Sequence, residues 1–455
     1  QQTARSPSKS ERPGRRRVAA VTETAYLIAT LSTRGEGIAR AGGKVTFIPF
    51  TLPGETWSAD LIESKKNYGR ALPRKMISPA NPPAGRVEPR CPYFGSCGGC
   101  HLQHIPYTDQ LRWKRHWLEE TFRRVAHLEV QSADIEPSPT WEYRNKITLR
   151  VTKMGTETVL GYHRIYQPNR IIPITDCPIA HPLIRKWIPL VTDALNRTPL
   201  EIISPSPASP QGSRVVMQVR ESSLTLSVWD VQLLPHAQEQ LAETWLAPPS
   251  PIDGVVLRNF TGGAPRIWAR SGKTTRVNDF ATETFLQVND TVREKLYAHI
   301  LELPYRRRGS VLDGYCGVGL LTRRLAERFE KTVGVELNGE AVWMARKQVE
   351  QGGLSGRTQI QAGSLEAFLS KCRDSFDVWI LNPPRAGLSS KVRSALTRRR
   401  PPECAIVSCH PAALARDVKA LVDAGYTIER VQPFDMFPHT HHLETVIFLR
   451  RKWDP

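Results

Sequence analysis

Two residues that could do covalent chemistry stand at the ends of predicted strands near the C-terminus. Cys409 ends the apolar stretch AIVSC, and Glu444 begins the stretch ETVIFL. A cysteine thiolate is a nucleophile and a nearby carboxylate can take up a proton, so the pair could catalyse a covalent reaction. Asn382 and Arg385, in NPPR after another apolar stretch, are predicted to face the same crevice, because neighbouring parallel strands end at one edge. Taken singly, Cys409 could equally be a buried packing residue and Glu444 a surface strand residue.

A glycine-containing loop, DGYCGVG at residues 313–319, follows an apolar strand and opens a helix. Glycine lets the backbone turn tightly and approach a ligand closely. Glu336 ends the next predicted strand, where a carboxylate can accept hydrogen bonds from ribose hydroxyls. Only one Gly-x-Gly is present, so the dinucleotide fingerprint is incomplete. Asp313 at the head of the loop favours an S-adenosylmethionine site over a pyrophosphate site, and the alternative is an ordinary strand-to-helix turn.

Three of the eight cysteines, Cys91, Cys97 and Cys100, lie within ten residues of one another. Eight cysteines in 455 residues are too few for a disulfide scaffold. We expect the charged segment at residues 1–17 not to be a secretory signal, because no apolar run follows it. These observations favour metal or cluster ligation over disulfides.

The chain carries 63 Lys and Arg against 44 Asp and Glu, a formal net charge of +19. Residues 1–90 hold 16 basic and 7 acidic residues, so about half of the excess lies in a fifth of the chain. Such an excess attracts nucleic acid first and anionic membranes second. No stretch approaches the ~18 apolar residues of a membrane-spanning helix. We therefore expect a cytoplasmic protein that does not engage a membrane.

The N-terminal part is predicted to hold a tail, a small barrel and a β-rich domain. Residues 1–17 are almost free of apolar residues and should form a disordered basic tail. Residues 18–80 show short strands separated by Gly and Pro turns, which predicts a small β-barrel. In the central domain, 81–275, a helical pattern at 109–125 precedes alternating apolar and polar residues from 140 onward, which predict an antiparallel sheet.

The C-terminal part, residues 276–455, alternates strand and helix patterns. Alternation on this scale predicts a Rossmann-like, doubly wound α/β domain with a parallel sheet. The glycine loop, Glu336, Asn382 and Cys409 would then all follow strands of that sheet.

Taken together, these segments resemble the RNA 5-methyluridine methyltransferases, S-adenosylmethionine-dependent enzymes that methylate C5 of uridine in ribosomal or transfer RNA. DGYCGVG, VGVEL, NPPRAGL, SCHPAALARD and HHLETV are similar to five motifs of the family, in the same order. Two positions depart from it: Asn382 stands where the family usually has Asp, and His410 where it usually has Asn. A glutamine in a Phe-rich segment of the family corresponds to Gln287 in TETFLQVN.

The resemblance implies a role for each motif residue. Cys409 would be the nucleophile that adds to C6 of uracil, and Glu444 the general base that removes the C5 proton. Arg385 and Phe285 would contact the substrate. Residues implied to bind the cofactor are Gln287, Asp313, Tyr315, Gly317, Gly319, Glu336 and Asn382.

The resemblance also extends to the N-terminal half of the chain. The barrel looks like a TRAM domain, an RNA-binding fold, in agreement with its basic charge. Cys91, Cys97, Cys100 and Cys177 resemble the 4Fe–4S site of the ribosomal branch of the family, and zinc is the alternative metal. The spacing differs from C-x3-C-x2-C, which disfavours a radical S-adenosylmethionine enzyme.

We therefore expect a monomeric methyltransferase acting on C5 of a uridine, with 23S ribosomal RNA bound before full ribosome assembly favoured over transfer RNA. Three other classes remain open. Asn382-Pro-Pro suggests an amino-group methyltransferase, although no aromatic residue follows it. The fold could also serve a non-catalytic RNA-binding protein, or the cysteines an electron carrier.

Overall fold

The computed structural model describes residues 24–81, 85–205, 212–220, 222–259, 266–269 and 286–452. The predicted tail at 1–17 and Phe285 lie outside these residues, as does the predicted domain boundary at 275/276. The described chain separates into an N-terminal unit that ends at residue 81 and a larger unit that begins at residue 85 and also includes residues 33–35. Within the described residues, no helix is long and apolar enough to cross a membrane.

The N-terminal unit is one six-stranded sheet in the order β1-β5-β6-β4-β3-β2. Its strands are β1 (Ala25–Leu27), β2 (Thr30–Leu31), β3 (Gly37–Ala41), β4 (Lys44–Ile48), β5 (Thr56–Ser64) and β6 (Tyr68–Ser78). Burial alternates along β3 and β4, so every second side chain enters a small core. That core contains Tyr26, Ile28, Ala39, Ile48 and Ala71.

The larger unit begins with a helical segment and a mixed eight-stranded sheet. The helices are α1 (Tyr107–Thr121), continued by a π-helical turn at Phe122–Ala126, α2 (Pro182–Arg197) and α3 (Pro235–Leu246). The strands are β7 (Lys146–Met154), β8 (Glu157–Arg164), β9 (Gln167–Pro173), β10 (Glu201–Ile202), β11 (Arg214–Arg220), β12 (Ser223–Gln232), β13 (Ile252–Asn259) and β14 (Arg266–Ala269).

The prediction of an antiparallel sheet for this region was wrong in one respect. β12 and β13 pair in parallel, because α3 lies between them in the chain and carries the connection back to the starting edge. The other pairings are antiparallel. The apolar faces of α2 and α3, neither of which was predicted, pack in the same core as the sheet.

The C-terminal part of the larger unit is a seven-stranded sheet in the order β17-β16-β15-β18-β19-β21-β20. Its strands are β15 (Ser310–Gly314), β16 (Lys331–Glu336), β17 (Thr358–Ala362), β18 (Val378–Leu381), β19 (Glu403–Ser408), β20 (Tyr426–Phe434) and β21 (Glu444–Arg451). The helices are α4 (Asp290–Leu301), α5 (Leu320–Ala326), α6 (Gly339–Gln351), α7 (Leu365–Lys371), α8 (Ser390–Arg399) and α9 (Pro411–Asp423).

This sheet confirms the doubly wound α/β prediction and adds an antiparallel edge. The strands from β17 to β19 are parallel, whereas β21 runs antiparallel to both β19 and β20. The chain order reverses between β15 and β18, which is where open α/β sheets form a ligand crevice. Since β21 is antiparallel, its first residue lies at the edge where β19 ends.

Candidate active site

Cys409 and Glu444 meet at the edge of the sheet. Ser408, the last residue of β19, pairs with Thr445 of β21, so the residue after the first strand and the residue that begins the second are neighbours. Cys409 is partly exposed, whereas Glu444 is 3 % exposed. The strand register thus brings together a thiol and a carboxyl that are far apart in sequence.

Arg385, which follows β18, interacts electrostatically with both Cys409 and Glu444. Burial raises the pKa of the Glu444 carboxyl to about 8, and the Arg385 guanidinium opposes that rise. Burial also raises the pKa of the Cys409 thiol; the charge of Glu444 adds to the rise, while the charge of Arg385 and a hydrogen bond from it lower that pKa. Ionisation of the thiol is therefore coupled to ionisation of the carboxyl. Arg385 favours both the thiolate and the carboxylate.

Cys409 also lies directly before the N-terminus of α9. His410 is the N-cap of that helix: its Nδ1 accepts a hydrogen bond from the Ala413 amide at 3.2 Å, and Pro411 occupies the first helical position. The imidazole nitrogen is a hydrogen-bond acceptor, so His410 caps the helix as an asparagine oxygen would. The partial positive charge of the helix N-terminus favours a thiolate at residue 409.

The glycine loop after β15 has the backbone geometry that its sequence predicts. Tyr315, Gly317 and Gly319 have φ of 64°, 57° and 80°. A Cβ at Gly319 would lie 2.7 Å from the Cβ of Ala345 in α6, so only glycine fits where α5 begins. The side chain of Tyr315 is partly exposed, and burial raises the pKa of its hydroxyl to about 12.

Glu336, at the end of β16, is bonded to this loop. Its Oε2 accepts from the Gly317 amide at 3.0 Å, and its Oε1 accepts from the Asn338 amide at 2.8 Å. Each carboxylate oxygen keeps a further lone pair, so two hydroxyls could still be bound. Asn382, after β18, donates its main-chain amide to the carbonyl of Gly314 at 3.2 Å and closes the other side of the crevice.

Asp313 is placed beneath the loop and is fully buried. Its Oδ2 accepts a hydrogen bond from Oγ1 of Thr322 in α5 at 2.5 Å. Burial raises the pKa of this carboxyl to about 7, and the charge of Glu336 adds to the rise while Thr322 opposes it. The contact joins the end of β15 to the first turns of α5, so Asp313 shapes the loop from inside. Thr322 was missed in the sequence, where a threonine inside a helix carries no signal.

Gln287 lies just before α4 and is buried. Its main-chain carbonyl accepts a hydrogen bond from Nδ2 of Asn145 at 3.3 Å, which ties the segment to the start of β7.

The four cysteines of the predicted cluster line one cavity of about 250 Å³. Burial raises the pKa of all four thiols, that of Cys100 to about 12 and that of Cys177 to about 11. A thiol buried in this way loses its proton and becomes a ligand only when a bound cation offsets the negative charge of the thiolate. Among the residues that the structure describes, no three or more Cys, His, Asp or Glu form a ready ligand set for a metal ion. The donor chemistry and the shared cavity fit a metal centre.

This cavity reaches the residues around Cys409. Arg385 and His442 line it together with the cysteines. Burial lowers the pKa of the His442 imidazole to about 3, and the Arg385 charge adds to the fall. The four cysteines and the candidate catalytic residues therefore share Arg385 as a neighbour.

Three polar residues near the site were missed in the sequence: Gln110 and Lys114 of α1, and Asp435. Gln110, Lys114, Trp117 and Leu118 are the buried residues of α1 and share one face. The sequence did contain a signal for Gln110 and Lys114, because both occupy positions of the apolar stripe of α1. A polar side chain buried at such a position needs a hydrogen-bonding partner.

Comparisons with known proteins agree with this geometry. The tRNA (Uracil-5-)-methyltransferase family model matches residues 271–452, and the TRAM domain model matches residues 26–72. The chain is 32 % identical over 433 residues to a 23S rRNA (uracil(1939)-C(5))-methyltransferase of Salmonella typhi, covering 92 % of this chain and 94 % of the relative. It is 30 % identical over 445 residues to an uncharacterized RNA methyltransferase of Thermosynechococcus vestitus, covering 93 % and 96 %.

Among solved structures, the chain is similar to the Pyrococcus abyssi tRNA (uracil-54, C5)-methyltransferase in complex with S-adenosyl-L-homocysteine. The TM-score is 0.70 at 25 % identity, and the match covers 94 % of this chain and 100 % of that one. The match therefore extends beyond the residues of the α/β sheet.

Proposed function

The chain belongs to the family of RNA uracil-5-methyltransferases, and we propose that it transfers the methyl group of S-adenosylmethionine to C5 of a uridine in RNA. The observation that carries this proposal is the meeting of Cys409 and Glu444 beside the crevice between β15 and β18. A nucleophile and a buried base at this edge suit a substrate whose carbon must first be activated and then deprotonated.

C5 of uracil is a weak nucleophile, so the reaction begins at C6. The Cys409 thiolate adds to C6, and the electron pair of the C5=C6 bond moves to form an enolate across C5, C4 and O4. C5 then attacks the electrophilic methyl carbon that S-adenosylmethionine supplies, and the sulfur–methyl bond breaks. Glu444 removes the proton from C5, the C5=C6 bond re-forms, and the Cys409 thiolate leaves.

Arg385 and the N-terminus of α9 make the first step accessible. Arg385 lowers the pKa of the thiol and that of the carboxyl, and the helix N-terminus favours negative charge on sulfur. The high pKa of Glu444 matches its role, because a base that holds a proton firmly can remove one from carbon. Arg385 is also our candidate for a substrate contact, together with Phe285.

We propose that the methyl donor binds across the glycine loop. Glu336 would accept hydrogen bonds from its ribose hydroxyls, with Gly317 and Gly319 allowing close approach of the backbone. Tyr315, Gln287 and Asn382 complete the proposed contacts, and Asp313 holds the loop in shape through Thr322.

We propose 23S ribosomal RNA as the substrate, bound before full ribosome assembly by a monomeric enzyme. The Salmonella typhi relative is named for a 23S uridine and the Pyrococcus abyssi relative for a tRNA uridine, so transfer RNA is the alternative. The TRAM match and the basic charge of the first 90 residues support an RNA partner in either case. Since C5 and C6 lie within the base stack, the uridine must be unpaired or flipped out.

We further propose that Cys91, Cys97, Cys100 and Cys177 hold a 4Fe–4S cluster. Four thiolates suit such a cluster, and their shared cavity supports it. A single zinc ion, which four thiolates would also suit, is the alternative.

The test is to incubate the anaerobically purified protein with S-adenosylmethionine labelled in the methyl group and with undermethylated total RNA. Digestion and separation of nucleosides should place the label in 5-methyluridine from large-subunit RNA. The Cys409→Ala variant should bind RNA without labelling it. Label in transfer RNA would change the substrate and keep the mechanism, whereas label in an amino group, or full activity of Cys409→Ala, would refute it.

A further inference from the structure

The loop at residues 435–443, which joins β20 to β21 and ends at Glu444, has an unusual backbone at its centre; we call it the base loop. His439 has φ of 65°, a left-handed conformation that residues other than glycine seldom adopt. Such a residue stays in place only when its surroundings determine its position. The contacts made by His439 therefore decide how the base loop delivers Glu444 to Cys409.

Gln110 of α1 makes several of these contacts. It is 1 % exposed, and its Oε1 accepts a hydrogen bond from the His439 amide at 3.0 Å. Its Nε2 lies 3.2 Å from Nδ1 of the His439 ring. Burial lowers the pKa of that imidazole to about 4, so the ring is neutral. One amide side chain thus contacts both the main chain and the ring of His439.

The same side chain also binds residues 101–105, which follow Cys100 and which we call the cysteine segment. Gln110 Nε2 donates to the carbonyls of Leu102 and Ile105 at 3.0 Å and 2.9 Å. That segment bonds to the base loop directly, because the amides of His101 and Leu102 donate to the His439 carbonyl at 2.8 Å and 2.9 Å. Gln110 therefore stands where three elements join: α1, the cysteine segment and the base loop.

Lys114, one turn further along α1, anchors the start of the base loop. Its Nζ donates to Oδ1 of Asp435 at 2.6 Å and to the carbonyl of Phe437 at 3.1 Å. Its replacement would leave a buried charge unpaired and disturb the whole fold, whereas Gln110 is uncharged and its contacts converge on His439. Replacing Gln110 should therefore shift the base loop with a smaller effect on folding than replacing Lys114.

We propose that Gln110 is a positioning residue for the methyl transfer: it holds the base loop against the cysteine segment so that Glu444 faces Cys409. The inference rests on the proposed function, since it assigns Glu444 as the base. The residues that follow Cys100 are also hydrogen-bonded to the loop that ends at Glu444. A metal at the four cysteines would then order the base loop through His101 and Leu102 without taking part in the reaction.

The experiment compares Gln110→Leu with the wild type and with Gln238→Leu. Gln238 is a matched control, since it is a buried glutamine of α3 whose Nε2 donates to a main-chain carbonyl, that of Leu233, at 3.3 Å. We expect Gln110→Leu to lower kcat for uridine methylation roughly tenfold or more, because small displacements of a catalytic group are costly. KM for RNA and for S-adenosylmethionine should stay within about twofold, as expected when only a transition-state interaction is lost.

Hydrogen exchange supplies a readout that is independent of activity. The His439 amide loses its acceptor in Gln110→Leu, so exchange at residues 437–444 should become faster while iron content stays unchanged. Gln110→Asn is the second variant and decides the question if Gln110→Leu does not fold. It stays uncharged and keeps the amide group, but it is one methylene shorter and withdraws that amide from His439, so exchange at residues 437–444 should again become faster.

Normal kcat and unchanged exchange in a folded Gln110 variant would overturn the proposal, as would an equal loss in Gln238→Leu. If the wild type itself leaves uridine unmethylated, the proposed function fails. The exchange comparison then still decides whether Gln110 holds the base loop.

Discussion

Lys114 and Asp435 form an ion pair with 2.6 Å between Nζ and Oδ1, and both side chains are completely buried. The pair joins α1 to the end of β20, over a separation of 321 residues in sequence. Burial lowers the pKa of the lysine, and the charge of Asp435 opposes that fall. The pair therefore depends on both members being present, since either charge alone would be buried without compensation.

We expect Lys114→Met to lower the free energy of unfolding by about 3 kcal/mol, because it leaves the Asp435 carboxylate unpaired. Urea unfolding followed by circular dichroism measures this. The matched control is Lys295→Met, which breaks a partly exposed pair with Glu136 and should cost less than about 1 kcal/mol. Equal losses in the two variants would show that burial of the Lys114 pair is not what matters.

The buried pair is a contact that could not be predicted from the sequence. The motif residues could be placed because each follows a strand of an α/β sheet, and parallel strands end at one edge; Glu336, Asn382 and Cys409 were placed that way. Lys114 and Asp435 could not be paired, since nothing in a local pattern tells a polar residue which distant partner it meets. The parallel pairing of β12 with β13 was missed for a related reason: alternation predicts a strand but not the direction of its neighbour.

Glu444→Gln should stop the reaction after methyl transfer. The variant keeps the size of the side chain and loses the base, so the C5 proton stays and Cys409 cannot leave. We expect a covalent protein–RNA complex that survives denaturing gel electrophoresis and carries the labelled methyl group. The double variant Cys409→Ala with Glu444→Gln is the control and should form no complex. Free methylated RNA released at the wild-type rate by Glu444→Gln would assign the proton transfer to another group.

We expect kcat/KM to increase from acid toward alkaline pH and to keep increasing above about pH 8, because the raised pKa of Cys409 lies above that of Glu444. The reactive forms are the Cys409 thiolate and the Glu444 carboxylate, burial raises the pKa of both, and the pKa of Glu444 lies at about 8. Below that pH both groups hold protons, so activity falls as pH falls. Since kcat/KM reports the free enzyme, it is the parameter to compare with these pKa values.

Arg385→Gln tests the cause of that dependence. Arg385 lowers the pKa of both groups, so its loss should move the rising limb to higher pH, and Arg385→Lys should move it less. A limb that stays in place in Arg385→Gln would mean that the guanidinium does not control either ionisation.

Gly319→Ala should weaken binding of the methyl donor. The substitution adds a Cβ that would lie 2.7 Å from Ala345 and also demands φ of 80° from alanine, so the loop must move away from α6. We expect a loss of roughly tenfold or more in affinity for S-adenosylhomocysteine by calorimetry, equivalent to at least about 1.4 kcal/mol. Gly353→Ala is the control: its φ of 67° is also positive, but a Cβ there meets nothing within 4 Å. Equal affinities for the two variants would remove the loop from the binding site.

Cys177→Ser should lower the iron content of the anaerobically purified protein to a fraction of the wild-type value. Cys177 is distant in sequence from Cys91, Cys97 and Cys100 but lines the same cavity, so its loss tests the cavity as a site rather than the sequence motif. Cys372→Ser is the control, because Cys372 is a partly buried thiol at the end of α7 and does not line that cavity. Zinc instead of iron in the wild type would replace the cluster with a single ion, and iron unchanged in Cys177→Ser would exclude Cys177 as a ligand. Loss of iron together with faster exchange in the base loop would connect the cysteine site to Glu444, since the amides of His101 and Leu102 donate to the His439 carbonyl.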